Sequence, residues 1–508
     1  MTLDSKCREL VAEFERLSGL KGIEWSTVQK QSSTVLVINL SYPSDRFFEI
    51  LENASINVGI EDLFLTPTIK SRSGDYNLID AAEGKYLVKV LSETLNVNRF
   101  TFGDDFFSRY TKSVAGAETQ IVANANHVVL GRRGAGKSML LLFAWHSRVD
   151  DEKPSIWVDM QVYSGRDDID LVKDVLIDLV EQAAEFSGLD ATAILDALRS
   201  CESKLSEIRK ILPNVRKYLS YFSSKKSEVF VFLDDFHVVD MAIQPILLDV
   251  IYAVCRGNQV FLKISAIETL TKTYDSATST GIEVPQDAQN IKLDYNLTMP
   301  DKATAHIEAI LNSHAEHAGI RSIRRLCVSP DVIPRLTWVA AGVPRDALNL
   351  FSQAMLKASL EGRKRVSVSN INVAASETLS IKLREIETDA SDKAAKLQEL
   401  VEDIKYFCIS EEKKNSFLIE IGVNAEIFAY IMNLVHLRLL HVITEGITVG
   451  DAGRKFMGLI LDYGFYTGIR AAQSVDLFNR QSKKVAYKDL RGLPILPLAK
   501  ITLGDPVE

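Results

Sequence analysis

The chain has 508 residues, which at roughly 150 per domain is enough for about three domains. With 46% apolar and 25% charged residues, and no apolar run near the roughly 20 residues that cross a bilayer, the composition excludes a disordered scaffold and a membrane-spanning helix. A net charge of -8 excludes a protein that coats nucleic acid by bulk charge and leaves room only for a local basic surface.

The first residues carry acidic groups and lead into a charged helix rather than a basic start and a long apolar run, so a cytoplasmic location is expected. The five cysteines (Cys7, Cys201, Cys255, Cys327, Cys408) are scattered and odd in number, which points to reduced thiols rather than a disulfide framework or a zinc knuckle. Residues 1–97 read as a small α+β module: an amphipathic helix over Cys7–Leu17, a β-branched run over Thr34–Leu40, and helices near 45–54 and 81–95. From 98 to 298 short apolar runs alternate with long helices, the rhythm of a parallel α/β sheet with crossover helices. Its predicted strands are His127–Leu130, Ser155–Asp159, Val229–Leu233, Val260–Ser265 and Asn290–Leu293.

Residues 299–375 read as a helical lid, with helices near 302–317, 331–340 and 345–360. His314 and His317 lie three apart there, but no third metal ligand is near in sequence. Arg321, Arg324 and Arg325 read as a solvated turn, and Arg363, Lys364 and Arg365 as a basic link. Residues 376–508 are expected to hold a charged helical stretch over Ile381–Phe407, a helix over Ala425–Leu439, a strand-like hairpin over Leu440–Val449, and an irregular basic end.

The chemistry sits after the first core strand. Gly131, Arg132, Arg133, Gly134, Ala135, Gly136, Lys137 and Ser138 fit the phosphate-loop pattern G-x-x-x-x-G-K-[ST] in full, between a predicted strand and a predicted helix. The glycines let backbone amides approach phosphate oxygens, Lys137 offers a point charge to the β- and γ-phosphates, and Ser138 a hydroxyl to Mg²⁺. Arg132 and Arg133 are expected to touch phosphate or a neighbouring subunit. Val229–Leu233 runs into Asp234 and Asp235: Asp234 at the strand tip would hold Mg²⁺, and Asp235 would orient or deprotonate the attacking water. Ser265, ending the next strand, would hold that water or merely end the strand. Pro344 starts a helix that places Arg345 in the first turn, where a cation opposes the helix dipole by about 0.3–1 kcal/mol, so an anion is its expected partner: the γ-phosphate or Asp346.

The phosphate loop, the Asp234-Asp235 strand, the polar-ended strand and the Gly342-Val-Pro-Arg345-Asp-Ala-Leu348 helix, in this order, resemble AAA+ ATPases of the origin-recognition-like branch. The resemblance covers about residues 98–375, with a weaker extension to about 470. It implies an α/β core with a five-stranded parallel sheet, a helical lid and a C-terminal winged-helix-like domain. It implies ATP and Mg²⁺ as ligands, ATP hydrolysis as the activity, Ser265 as first sensor, Arg345 as second sensor, and a homo-oligomeric assembly. Two features depart from the pattern: the acidic pair is Asp-Asp where Asp-Glu is common, and no arginine finger stands between Thr271 and Gln289. Slow turnover is expected.

The C-terminal hairpin followed by Arg454 and Lys455 resembles a wing, and the 425–439 helix would then be either a DNA reader or a packing surface. Arg470, Arg480, Lys483, Lys484, Lys488, Arg491 and Lys500, with Phe478 and Tyr487 interleaved, form a basic tail that would grip a phosphate backbone. Two outputs follow: a nucleotide-driven switch on DNA-associated machinery, or a signalling or defence-type switch on a protein partner.

Overall fold

A computed structural model describes the chain except for residues 1–2, 31–32, 61–64, 73, 75, 114–115, 150, 294–296, 389–391, 450–453, 468–473, 479–484, 499–500 and 502–508. The chain forms two compact units, residues 97–294 and residues 1–96 together with 295–508. Among the described residues no helix is long and apolar enough to cross a membrane.

In the second of these units the N-terminal sheet runs in the order β1 (Glu24–Lys30), β2 (Ser33–Leu40), β3 (Leu65–Ser71), antiparallel then parallel. The apolar face of β2 (Leu36, Ile38, Leu40) closes against Leu10 and Phe14 of the helix Leu3–Ser18 and Phe47 and Leu51 of the helix Asp45–Val58. The helix Ala82–Thr94 does something the sequence pattern does not announce. Its Leu87 and Leu91 share one core with Leu311, Ala315 and Phe351 of the helical segment after 299. The two histidines read as a doubtful metal pair belong to this seam: Tyr86 Oη lies 3.3 Å from His317 Nε2, and Thr94 Oγ1 lies 2.9 Å from His314 Nε2. Among the described residues no group of three or more histidine, cysteine, aspartate or glutamate side chains is placed to hold a metal ion.

The nucleotide-loop unit is an α/β layer structure. Its strands are β4 (His127–Leu130), β5 (Ser155–Asp159), β6 (Val229–Asp234), β7 (Val260–Ala266) and, after the short hairpin β8 (Tyr274–Asp275) and β9 (Thr280–Gly281), β10 (Gln289–Lys292). The five long-range strands pair in parallel in the order β10-β4-β7-β6-β5. The strands β4 and β6 are buried on both faces, as a sheet covered by helices on both sides requires. The helices Lys137–Val149, Ile169–Ser187, Leu205–Lys226 and Gln244–Cys255 supply the cover.

The C-terminal end is winged-helix-like, with one difference from the sequence reading, in its hairpin. The charged stretch is two helices, Val368–Thr388 and Asp392–Tyr406, and the single strand β12 (Leu440–Thr448) replaces the hairpin expected within 440–449. Its hairpin partner is β13 (Lys455–Leu461), and β11 (Ser416–Glu420) completes an antiparallel sheet of order β11-β13-β12. Register shifts at Val442/Thr444 and Thr444/Ile447 are β-bulges, so the Thr444-Glu-Gly446 segment bends a continuous strand where its composition suggests a turn.

Candidate nucleotide site

The strand order assembles the site. β7 lies between β4 and β6, with Val129 opposite Ser265 and Leu233 opposite Ile264, so the carboxyl ends of three adjacent strands release the phosphate loop, Ser265 and the Asp234-Asp235 pair side by side. Ligands of open parallel sheets bind in this crevice beyond the carboxyl ends of the strands. The loop leaves β4 and enters the helix that begins at Lys137; Gly134 (φ 84) and Gly136 (φ 96) occupy the left-handed region, which a side chain would resist.

Lys137 is buried, and its ammonium donates to the carbonyls of Gly131 and Arg132, both at 3.1 Å, so the loop is wrapped around its own cation. Arg132 is partly buried and Arg133 is exposed. Asp234 collects three donors on one oxygen: Ser138 Oγ at 3.0 Å, Ser265 Oγ at 2.6 Å and the Asp235 amide at 3.1 Å. The Asp235 amide also donates to Ser265 Oγ at 2.8 Å. Ser265 is fully buried with its one proton given to Asp234, so here it fixes the acidic pair.

Removal from water and the neighbouring Asp235 charge push the Asp234 carboxyl up to about 6, against the three hydrogen bonds that favour its anion. Asp235 turns into the left-handed region (φ 54), and its partly exposed carboxylate has His237 Nδ1 at 3.9 Å. Asp159 ends β5 directly opposite Asp234 and caps the following turn by accepting from the Gln161 amide at 3.0 Å.

The residues fit a divalent cation: a hydroxyl and a carboxylate, Ser138 and Asp234, already share one point beside the loop, and a crowded acidic pair favours a positive partner there. Arg345 lies in the other unit, exposed in the first turn of the helix Pro344–Leu360. Its neighbour Asp346 is taken by Arg438, at the end of the helix Ala425–His436.

Sequence reasoning missed a second polar knot. Lys263, two residues before Ser265 and fully buried, donates to the carbonyls of Ala123 (2.6 Å) and Ala125 (2.8 Å) and meets His127 Nδ1 at 3.0 Å. Its Nζ also lies 4.1 Å from the centre of the Phe230 ring. A lysine inside an otherwise apolar strand is the one signal that marks it.

No family model and no curated protein matches the chain. Among solved structures it is similar to the Aeropyrum pernix Orc1 protein in complex with DNA, at 16% identity over 72% of this chain and 93% of that chain, TM-score 0.40. It is also similar to Cdc6p from Pyrobaculum aerophilum (13% identity, 73% and 98%, TM-score 0.37) and to a Walker-type ATPase of Pyrococcus abyssi (13% identity, 75% and 99%, TM-score 0.40). The chain is similar to origin-recognition-type AAA+ structures. At these identities and scores the likeness carries no argument about activity, and the fold stands on the strand order and loop geometry described above.

Proposed function

We propose that the chain is an AAA+ ATPase that binds Mg-ATP, hydrolyses it slowly and works as a nucleotide-driven switch. The observation that carries this reading is the convergence of Ser138, Ser265 and the Asp235 amide on one oxygen of Asp234, beside a complete phosphate loop. In this reading the loop amides from Gly131 to Ser138 and the Lys137 ammonium bind the phosphates, with Lys137 exchanging two backbone carbonyls for phosphate oxygens. Ser138 and Asp234 would hold Mg²⁺, which when bound neutralises charge on the β- and γ-phosphates. Asp235, partly exposed, takes the proton of the attacking water, and Ser265 keeps the two carboxylates in place. By the resemblance to AAA+ ATPases, Arg345 would serve as the second sensor of the bound triphosphate. Calorimetry tests the core of this: ATP binding should vanish in Lys137→Ala, and equal affinity in the variant would remove it.

For the output, the C-terminal surface favours a protein partner. Arg438 is paired with Asp346 and Arg454 with Glu420, so these two cations of the C-terminal end are already neutralised. The helix 425–436 exposes Ala425, Glu426 and Ala429, which offer no donors to base edges. The DNA reading keeps Lys455, Lys488 and Arg491, all exposed; Arg470, Arg480, Lys483, Lys484 and Lys500 lie outside the described residues, as does the Tyr487 side chain. Fluorescence anisotropy at low salt decides: binding that falls steeply with salt supports DNA, and none with or without ATP leaves the protein-directed switch.

A further inference from the structure

Two basic segments far apart in sequence meet on the unit formed by residues 1–96 and 295–508. Val366 pairs with the 326–328 backbone, its amide donating to Leu326 O at 2.7 Å and its carbonyl accepting from Val328 N at 2.9 Å. This sets Arg325 beside Lys364 and Arg365 around an open concavity of about 400 Å³, floored by Tyr76 and Leu78 of the N-terminal module. The volume falls in the usual range of small-molecule sites, about 300–1,000 Å³.

The nearby acids do not neutralise the two arginines of the concavity. Glu308 is held by Arg324 and Glu361 by Arg363, two arginines that do not line the concavity. Arg325 and Arg365 make no ion pair among the described residues. The fold thus brings like charges together on an acidic chain, an arrangement that repels itself until an anion arrives. The Tyr76 side chain lines the same space, and its hydroxyl is buried and meets no hydrogen-bonding partner among the described residues; Arg72 packs over its ring at 4.6 Å. A buried hydroxyl at the floor of a cationic pocket calls for an acceptor that enters it, whereas a nucleic-acid backbone would follow an open stripe.

We propose that this pocket is a second anion site, separate from the phosphate loop, that takes a small molecule carrying two or more phosphate groups. The two guanidinium groups grip phosphate oxygens by paired N–H donors, Lys364 adds charge, and Tyr76 donates its hydroxyl to the most deeply seated oxygen. The test uses the full chain with the phosphate loop silenced by Lys137→Ala and inorganic pyrophosphate as probe. Calorimetry should show one saturable site, weakened at least tenfold by adding Arg325→Gln and Arg365→Gln, and weakened less by Tyr76→Phe. Both arginines are exposed, so their replacement should leave the melting temperature unchanged; in the chain with Lys137 intact it should also leave ATP binding at the phosphate loop unchanged. No saturable pyrophosphate binding, or equal affinity in the arginine variant, would overturn the proposal. So would a single-stranded oligonucleotide that displaces pyrophosphate with affinity rising with its length, since that identifies a backbone track.

Discussion

Replacing Ser265 by alanine isolates the group that joins the two carboxylates of the candidate site. Its hydroxyl donates to Asp234 Oδ1 at 2.6 Å and accepts the Asp235 amide at 2.8 Å, so Ser265→Ala removes one hydrogen bond to a charged group and one to backbone. The Asp235 amide keeps its 3.1 Å contact with Asp234, so it is not left unsatisfied. The charged bond is worth about 1.5–3 kcal/mol. If that energy serves to hold Asp235 and Asp234 in reacting position, turnover falls about 10- to 150-fold, at about 1.36 kcal/mol per factor of ten. ATP affinity should change little, because the loop from Gly131 to Ser138 is untouched. Phosphate release at saturating Mg-ATP measures the first quantity, calorimetry the second, and a melting curve confirms the fold. Unchanged turnover, or an equal loss of affinity and turnover, would refute a positioning role for Ser265.

Asp235→Asn keeps the shape of the carboxylate and removes its basicity, so phosphate release should drop sharply while ATP affinity holds; an unaltered rate reassigns the base. Lys263→Met should cost about 2–4 kcal/mol in urea unfolding, because the Ala123 and Ala125 carbonyls lose their donor. Burial, and secondarily the Arg148 charge, lower the Lys263 ammonium to about 7, with His127 facing it, so between pH 7 and its ordinary value near 10.5 the unfolded chain binds more protons and stability should rise with pH. That rise should be smaller in Lys263→Met; parallel pH profiles for the two proteins would disprove it. The Arg438–Asp346 pair has side chains 25% and 15% exposed, so screening limits it, and Asp346→Ala should cost about 1–2 kcal/mol, with a double-mutant cycle against Arg438→Ala giving a coupling below that. A coupling of zero would make the pair incidental.

The candidate site was legible because each of its parts is local. A glycine-rich turn must follow a strand and open a helix, and an apolar run ending in two aspartates has few places to sit other than a sheet's carboxyl edge. The strand order places β7 between the loop strand and the acidic strand, which brings Ser265 to the same edge. What the sequence hid depends on pairings that the residue pattern itself does not announce. β1 is almost wholly exposed, so it shows no alternation and exists only through its pairing with β2. The union of the first 96 residues with the chain after 295 rests on groups that read separately as unremarkable: a tyrosine, a threonine and two histidines, whose spacing on one helix invites a metal reading. The same holds for Arg345 and Asp346. Adjacent residues of opposite sign suggest a local pair, yet Asp346 is claimed by Arg438, 92 positions on, through a fold no window of sequence contains. The basic pocket makes the point with the opposite sign. Arg325 and Arg365 are each an ordinary solvated cation in sequence, and only the backbone pairing of Val366 with the 326–328 segment turns two harmless charges into a repulsive pair that an anion would relieve.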